Sequence, residues 1–208
     1  MQYSSKYKFT QKWFDPMIPM WEQVFEKFPN IESVLEVGCF EGRATVWLCE
    51  NVLNSEDKKY TYDVVDTFGG SLGESGMKNV KERLIEDDFI WDNFTHNISF
   101  FPHINFNISR GLSQKILPTM ESKEKYDLIY IDASHRADDT LVDAYYAKKM
   151  LKKGGIIIFD DYGWKDPKDT RPVNSPELGV NVFNTMYNDE FQIIFTGYQV
   201  GFLKKINK

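Results

Sequence analysis

Cysteine, histidine and proline are scarce in this chain of 208 residues, which holds two, three and eight of them. The cysteines, Cys39 and Cys49, form no CxxC pair and share no metal-type spacing with the histidines. Neither a disulfide framework nor a Cys/His zinc site is therefore expected, and a reducing, cytoplasmic setting is the default. Long apolar runs are missing too. The longest stretch free of charge, Asn93 to Ser109, contains Pro102 and four asparagines, which is no membrane span. The opening residues MQYSSKYKFTQKWF carry neither an apolar h-region nor a small-residue cleavage site, so no secretory leader is expected. An excess of cations is also lacking: 25 Lys and Arg stand against 31 Asp and Glu, a net charge of −6. Nucleic-acid partners, which need clustered cations, are not expected. The densest basic cluster, Lys148, Lys149, Lys152 and Lys153, reads as the solvated face at a helix C-terminus.

What is present suffices for one sizeable core, with 42% hydrophobic and 15% aromatic residues. No repeat, low-complexity tract or Gly/Ser/Pro linker divides the chain. Residues 1–30 read as an N-terminal arm and helix, and residues 31–208 as one domain. Asp15-Pro16 has the form of an N-cap followed by an N1 proline, and Ile18, Trp21, Phe25 and Phe28 then share a helical face that ends at Pro29-Asn30.

Beyond this point strand and helix patterns alternate. Strands are expected at Ser33–Val37, Tyr60–Val65, Asn105–Ser109, Tyr126–Ile131 and Ile156–Phe159. Helices are expected at Gly42–Asn51, around Asn79–Asp88, at Ser113–Met120 and at Asp138–Leu151, the last closed by a left-handed cap at Gly154-Gly155. Near-continuous apolar strands separated by helices indicate a parallel sheet covered on both faces. Gln192–Thr196 and Val200–Leu203 are joined by only three residues, GYQ, which forces an antiparallel hairpin. The expected fold is a single-domain α/β, Rossmann-like doubly wound sheet, mostly parallel, with an antiparallel C-terminal β-hairpin.

In such sheets ligands bind beyond the carboxyl ends of the strands. The residues standing there are Glu36, Gly38 and Gly42 after the first strand, Asp66 after the second and Arg110-Gly111 with Ser113-Gln114 after the third. Asp132 with His135 follows the fourth, and Asp160-Asp161 the fifth. Gly38 and Gly42 suit either a tight turn or a nucleotide-type loop, and their GxxxG spacing differs from the dinucleotide GxGxxG. Asp66 suits a helix cap or a ribose diol. Asp160-Asp161 can satisfy loop amides, but together with Asp132 they form an all-oxygen set that repels itself without a hard cation such as Mg²⁺. Cys39, Cys49, His96 and His103 read as structural.

The run VLEVGCFEGRATVWL resembles the first motif of class I S-adenosylmethionine-dependent methyltransferases. The segment GLSQKILP, Gly111 to Pro118, is similar to a stretch of the catechol O-methyltransferase branch, and IDASH with FDDY and VDTFGG resembles the small sugar O-methyltransferases typified by macrocin O-methyltransferase. The resemblance implies a class I fold over about Ser33 to Lys205 and S-adenosyl-L-methionine as cofactor. Glu36, Gly38, Gly42, Asp66, Ser113 and Gln114 would form its site, with Asp66 on the ribose and Ser113 and Gln114 at the adenine. It also implies a divalent metal, Mg²⁺ by preference, on Asp132, Asp160 and Asp161, the last standing where the branch has Asn. His135 occupies the position of the branch's catalytic lysine, and an imidazole there suits a proton acceptor. The implied reaction is methyl transfer to a hydroxyl oxygen of a small molecule, a sugar or polyol. Trp164, Tyr162 and Arg171 in the loop from Asp161 to Pro172 are expected beside the acceptor. The competing readings are an NAD-dependent oxidoreductase and a non-catalytic cofactor-binding module.

Overall fold

The computed structural model describes residues 3–70, 88–121 and 123–206. The expected helix around Asn79–Asp88 lies outside them except for Asp88. Seven strands, β1 (Ser33–Val37), β2 (Tyr60–Asp66), β3 (Ile104–Arg110), β4 (Tyr126–Ile131), β5 (Leu151–Phe159), β6 (Phe191–Thr196) and β7 (Val200–Lys204), form one sheet in the order β3-β2-β1-β4-β5-β7-β6. The first five pair in parallel, and β7 runs antiparallel to both β5 and β6. This is the doubly wound sheet with a terminal hairpin that the pattern implied.

Strand alternation sends successive side chains to opposite faces. Leu128 and Tyr130 of β4 join the core under helices α1 (Ile18–Lys27), α2 (Arg43–Asn51) and α3 (Phe89–Ile98). Ile129 and Ile131 join the core under α5 (Ala137–Met150) and α6 (Pro176–Tyr187). A single turn, α4 (Ser113–Ile116), followed by a 3₁₀ turn at Leu117–Thr119 carries the chain from β3 toward β4.

Three local expectations are corrected. Asp15 does not cap a helix: it opens a 3₁₀ turn, Asp15–Met17, that runs into α1, and its carboxylate takes a two-pronged bond from Arg43 at 2.5 and 2.7 Å. A guanidinium fork outcompetes the neutral backbone N–H groups that a cap would serve. Gly154-Gly155 do not close a helix either. The helix ends at Met150, Leu151 is already extended, and Gly154, at φ +78°, lies within β5 where its register to β4 shifts. The left-handed residue serves a bulge. The basic tetrad, finally, is divided between elements: Lys148 pairs with Glu190 and Lys152 with Asp127 at the start of β5. Helices α3 and α6 had no counterpart in the sequence reading, which passed over the Ser175-Pro176-Glu177 start of α6. Ser175 there accepts from the Glu177 N–H.

Candidate functional site

Strand order reverses between β1 and β4, so the crevice at their carboxyl ends is the place a doubly wound sheet offers to a ligand. Gly38 leaves β1 there at φ +84°, its N–H donating to Val65 O at 2.8 Å. Asp132 leaves β4 beside it, its N–H donating to Val37 O at 2.7 Å. A Cβ on Gly38 would lie 2.1 Å from the Asp132 carbonyl oxygen. The loop continues through Phe40, at φ 52°, to Gly42, at φ 75°, which opens α2.

Asp66, at the end of β2, organises this loop. One oxygen accepts the N–H groups of Cys39 at 2.6 Å and Phe40 at 2.9 Å, and the other accepts Phe68 N–H at 2.6 Å. A carboxylate offers about four lone-pair directions, so one remains for a further donor such as a ribose hydroxyl. Glu36 lies beneath, fully buried, accepting from Thr45 at 2.5 Å and Tyr62 at 2.7 Å. Its second oxygen has no hydrogen-bond partner among the described residues. Burial raises its carboxyl to about 7, against the hydrogen bonds of Thr45 and Tyr62. Ser113 donates its hydroxyl to Asp143 of α5, at 2.9 Å. Gln114 follows it, half-buried. Burial likewise raises Asp143, which is 0% exposed, to about 7.

These two acids set a pH dependence. Their folded-state values lie above the ordinary carboxylate range, so the stability they favour is full at low pH and is lost as pH rises through about 7. Glu36→Gln, which keeps an acceptor for Thr45 and Tyr62, is expected to flatten the fall in melting temperature between roughly pH 4.5 and 7, by an amount equivalent to about 3 kcal/mol. Asp143→Asn is expected to act in the same window. Identical slopes for wild type and both variants in ligand-free thermal unfolding would refute this.

The strand-four and strand-five residues meet on the other side of the crevice. Ligand atoms of Asp132, His135 and Asp161 lie within 4.8 Å of one another. His135 Nε2 is 2.6 Å from Asp161 Oδ2, and its ring packs on Trp164 with centroids 4.4 Å apart. Asp161 takes a left-handed φ of 53°, a conformation unusual for a non-glycine residue. Asp160 stands outside the close trio, its oxygens taken up by the Tyr130 hydroxyl and, at 2.7 Å, by the Asp161 N–H. Burial, then the charges of Asp160 and Asp161, holds Asp132 well above the usual carboxylate range. Burial and Asp161 raise Asp160 to about 6. Among the described residues the ion pair within this cluster comes from His135, not from a lysine or arginine. Oxygen donors crowded together, each disfavouring the ionisation of the next, are the donor set a hard divalent cation fits. With Ile131, Ala133, Ser134, Thr140 and Pro176, residues of the cluster line a small cleft.

Of the residues expected beside the acceptor, Trp164 lies on His135. Tyr162 bonds Asn181, and Arg171 is 72% exposed and paired with Asp169. The N-terminal arm frames the far side. Thr10 N–H donates to Glu41 at 2.6 Å, Asn93 donates to the other Glu41 oxygen at 2.8 Å, and Trp13 lies on Phe40. Lys8 and Asn97 exchange a reciprocal pair of bonds at 2.8 and 2.9 Å. His96 and His103 bond the Lys6 and Leu53 carbonyls, and Cys39 and Cys49 are buried thiols. Sequence reasoning passed over Tyr130, whose parity with Asp132 on one strand face was the available signal, and Glu41, which stands inside the glycine loop.

Residues 35–162 match the family described as a methyltransferase domain. No curated protein is significantly similar to the chain. Among solved structures, an O-methyltransferase from Bacillus cereus in complex with SAH is 17% identical, over 91% of this chain and 81% of that one, with a TM-score of 0.54. The O-methyltransferase TomG from Streptomyces achromogenes, solved with SAM, is 13% identical over 92% and 80%, with a TM-score of 0.58. The O-methyltransferase NovP is 18% identical over 93% and 79%, with a TM-score of 0.61. At these identities the likeness is one of fold.

Proposed function

Because the chain belongs to the methyltransferase-domain family, we propose that it is an S-adenosylmethionine-dependent O-methyltransferase acting on a small-molecule hydroxyl, of a sugar or polyol, with a divalent cation of the Mg²⁺ class. The observation that carries this reading is the convergence, at one crevice, of the Gly38–Asp66 loop system with the acid cluster of Asp132, Asp160, Asp161 and its partner His135. O-methyltransferases recur among the structures of the same fold, two of them solved with SAM or SAH.

Bound S-adenosylmethionine supplies an activated methyl group, and a bound divalent cation supplies charge that positions and acidifies a hydroxyl. The chain's own residues do the rest. Gly38 opens the backbone to the methionine end of the cofactor, and Gly42 lets the loop turn into α2. Asp66 offers its remaining lone pair to the ribose, with Glu36 beneath the loop and Ser113 and Gln114 bordering the adenine end. Asp132, Asp160 and Asp161 would hold the cation. His135 takes the acceptor's proton, and the Asp161 carboxylate, whose Oδ2 lies 2.6 Å from the ring Nε2, neutralises the resulting imidazolium. Trp164 covers the ring and excludes water from that face.

The test is thermal unfolding with S-adenosylmethionine or S-adenosylhomocysteine, each with Mg²⁺, Mn²⁺ or EDTA. A ligand at 100-fold its Kd stabilises the native state by about 2.7 kcal/mol, which for this size is roughly 5–10 °C. A cofactor shift that the metal alters again is the expected result. A shift with NADH and none with either sulfonium or thioether cofactor would overturn the reading.

A further inference from the structure

The Tyr130 hydroxyl that meets the carboxylates is itself held by hydrogen bonds running through the core. Trp21 of α1 donates its indole N–H to Gln199 Oε1 at 2.7 Å. Gln199 Nε2 lies 3.3 Å from the Tyr130 oxygen. Tyr130 donates to Asp160 Oδ2 and lies 3.3 Å from Asp132 Oδ2. Trp21 and Tyr130 are 0% exposed and Gln199 1%, so bulk water does not compete for these bonds. The Trp21 and Tyr130 rings also meet edge to face, with centroids 4.9 Å apart.

The chemistry of the first member sets the direction of every bond. An indole N–H donates and cannot accept, so the glutamine atom facing it must be the carbonyl oxygen. The amide nitrogen is then the atom turned to Tyr130, and it too can only donate. The phenol oxygen must accept there, which leaves its single proton for a carboxylate. A reversed amide would instead draw the phenol proton toward Gln199 and leave Asp160 without that donor.

We propose that Trp21, Gln199 and Tyr130 form a one-way positioning relay in which Tyr130, whose hydroxyl meets both carboxylates, fixes the orientation of Asp160 and Asp132 toward a bound divalent cation. The proposal rests on the metal reading above. It assigns a role to a tryptophan and a glutamine that lie outside the strand-end motifs, and it links α1 and the turn before β7 to the cation site. Partners one shell out from metal ligands commonly change metal affinity by about 10–100-fold when removed.

Mn²⁺ titration of the full chain, followed by the paramagnetic resonance of free Mn²⁺ and without cofactor or acceptor, reads the relay directly. Tyr130→Phe keeps the ring and is expected to raise the Mn²⁺ Kd by about tenfold or more. Trp21→Phe is expected to raise it less, and to add nothing in the Tyr130→Phe background, because both substitutions break one chain. If Tyr130→Phe does not fold, Gln199→Leu breaks the middle link and is expected to give the same direction of change. An unaltered Kd in the folded variants overturns the relay while leaving the methyltransferase reading in place. Fully additive effects overturn it too, since they would mark two separate packing defects. If the wild type binds no Mn²⁺, the metal reading falls. The relay is then judged by the ¹⁵N-indole resonance of Trp21 in Asp160→Asn: a displaced resonance supports continuity from Trp21 to Asp160, and an unmoved one overturns it.

Discussion

His135→Ala is expected to lower kcat by roughly 10²–10⁴ while cofactor affinity changes by less than about threefold, the range that removal of a general base produces. The imidazole sits at the mouth of the β4–α5 loop, fixed on one side by Asp161 and on the other by the Trp164 ring. A proton acceptor needs both a defined ring orientation and a partner for the charge it acquires, and these two contacts supply them. The same geometry puts His135 in the close trio with Asp132 and Asp161, so the variant must be titrated with Mn²⁺ as well. A rate loss with metal affinity intact identifies the proton acceptor. A rate loss matched by an equal loss of metal affinity would make the imidazole a ligand instead, and a loss below about threefold would reduce it to an orienting group.

Gly38→Ala is expected to cost about 4 kcal/mol of stability, lowering the melting temperature by roughly 10 °C, and to remove the cofactor-induced shift. The new Cβ would lie 2.1 Å from Asp132 O, 2.5 Å from Asp132 C and 2.7 Å from Ala133 Cα, at a φ of +84°. All three neighbours are backbone, so no rotamer change relieves the contact, and a left-handed φ adds its own cost. Relief requires β1 and β4 to part at the crevice, which breaks the 2.7 Å bond from Asp132 N–H to Val37 O. Gly42→Ala makes the useful comparison. It shares the positive φ, but its Cβ meets the Phe94 ring, nearest atom 2.8 Å, a side chain rather than main chain, and its cost is expected to be smaller. Equal melting temperatures for Gly38→Ala and wild type would show that the crevice is pliable and that Gly38 has a lesser part in shaping it.

The strand-end residues were legible in the sequence because a parallel sheet exposes only one end of each strand to a ligand. The polar residues following SVLEV, YTYDVV, YDLIYI and IIIF therefore had to share a rim. The hairpin was legible because three residues cannot carry a parallel return. Local competition was not. Asp15 looks like a cap until Arg43, 28 residues on, claims its carboxylate. Gly154 looks like a helix stop until β5 is seen to begin at Leu151. Ser113 stands in the motif for the adenine site, yet its hydroxyl belongs to Asp143, an acid on the buried face of α5. Tyr130 was hidden in an apolar strand because periodicity treats a tyrosine as core and is blind to its hydroxyl.

The bond between Trp21 and Gln199 spans 178 residues of chain. On a ribosome adding about 5–20 residues per second, that separation is roughly 10–35 s of synthesis. Throughout that interval the indole N–H of Trp21 lacks the Gln199 oxygen that accepts it in the folded chain, while Phe14, Phe25, Trp47 and Tyr130, the rings that pack on it, are all made before Gln199. Non-local contacts of this kind also slow folding in free solution. The nascent chain therefore passes through a prolonged stage in which this donor waits for its acceptor, and loss of the last two strands with their turn would leave the Trp21 N–H without the Gln199 oxygen.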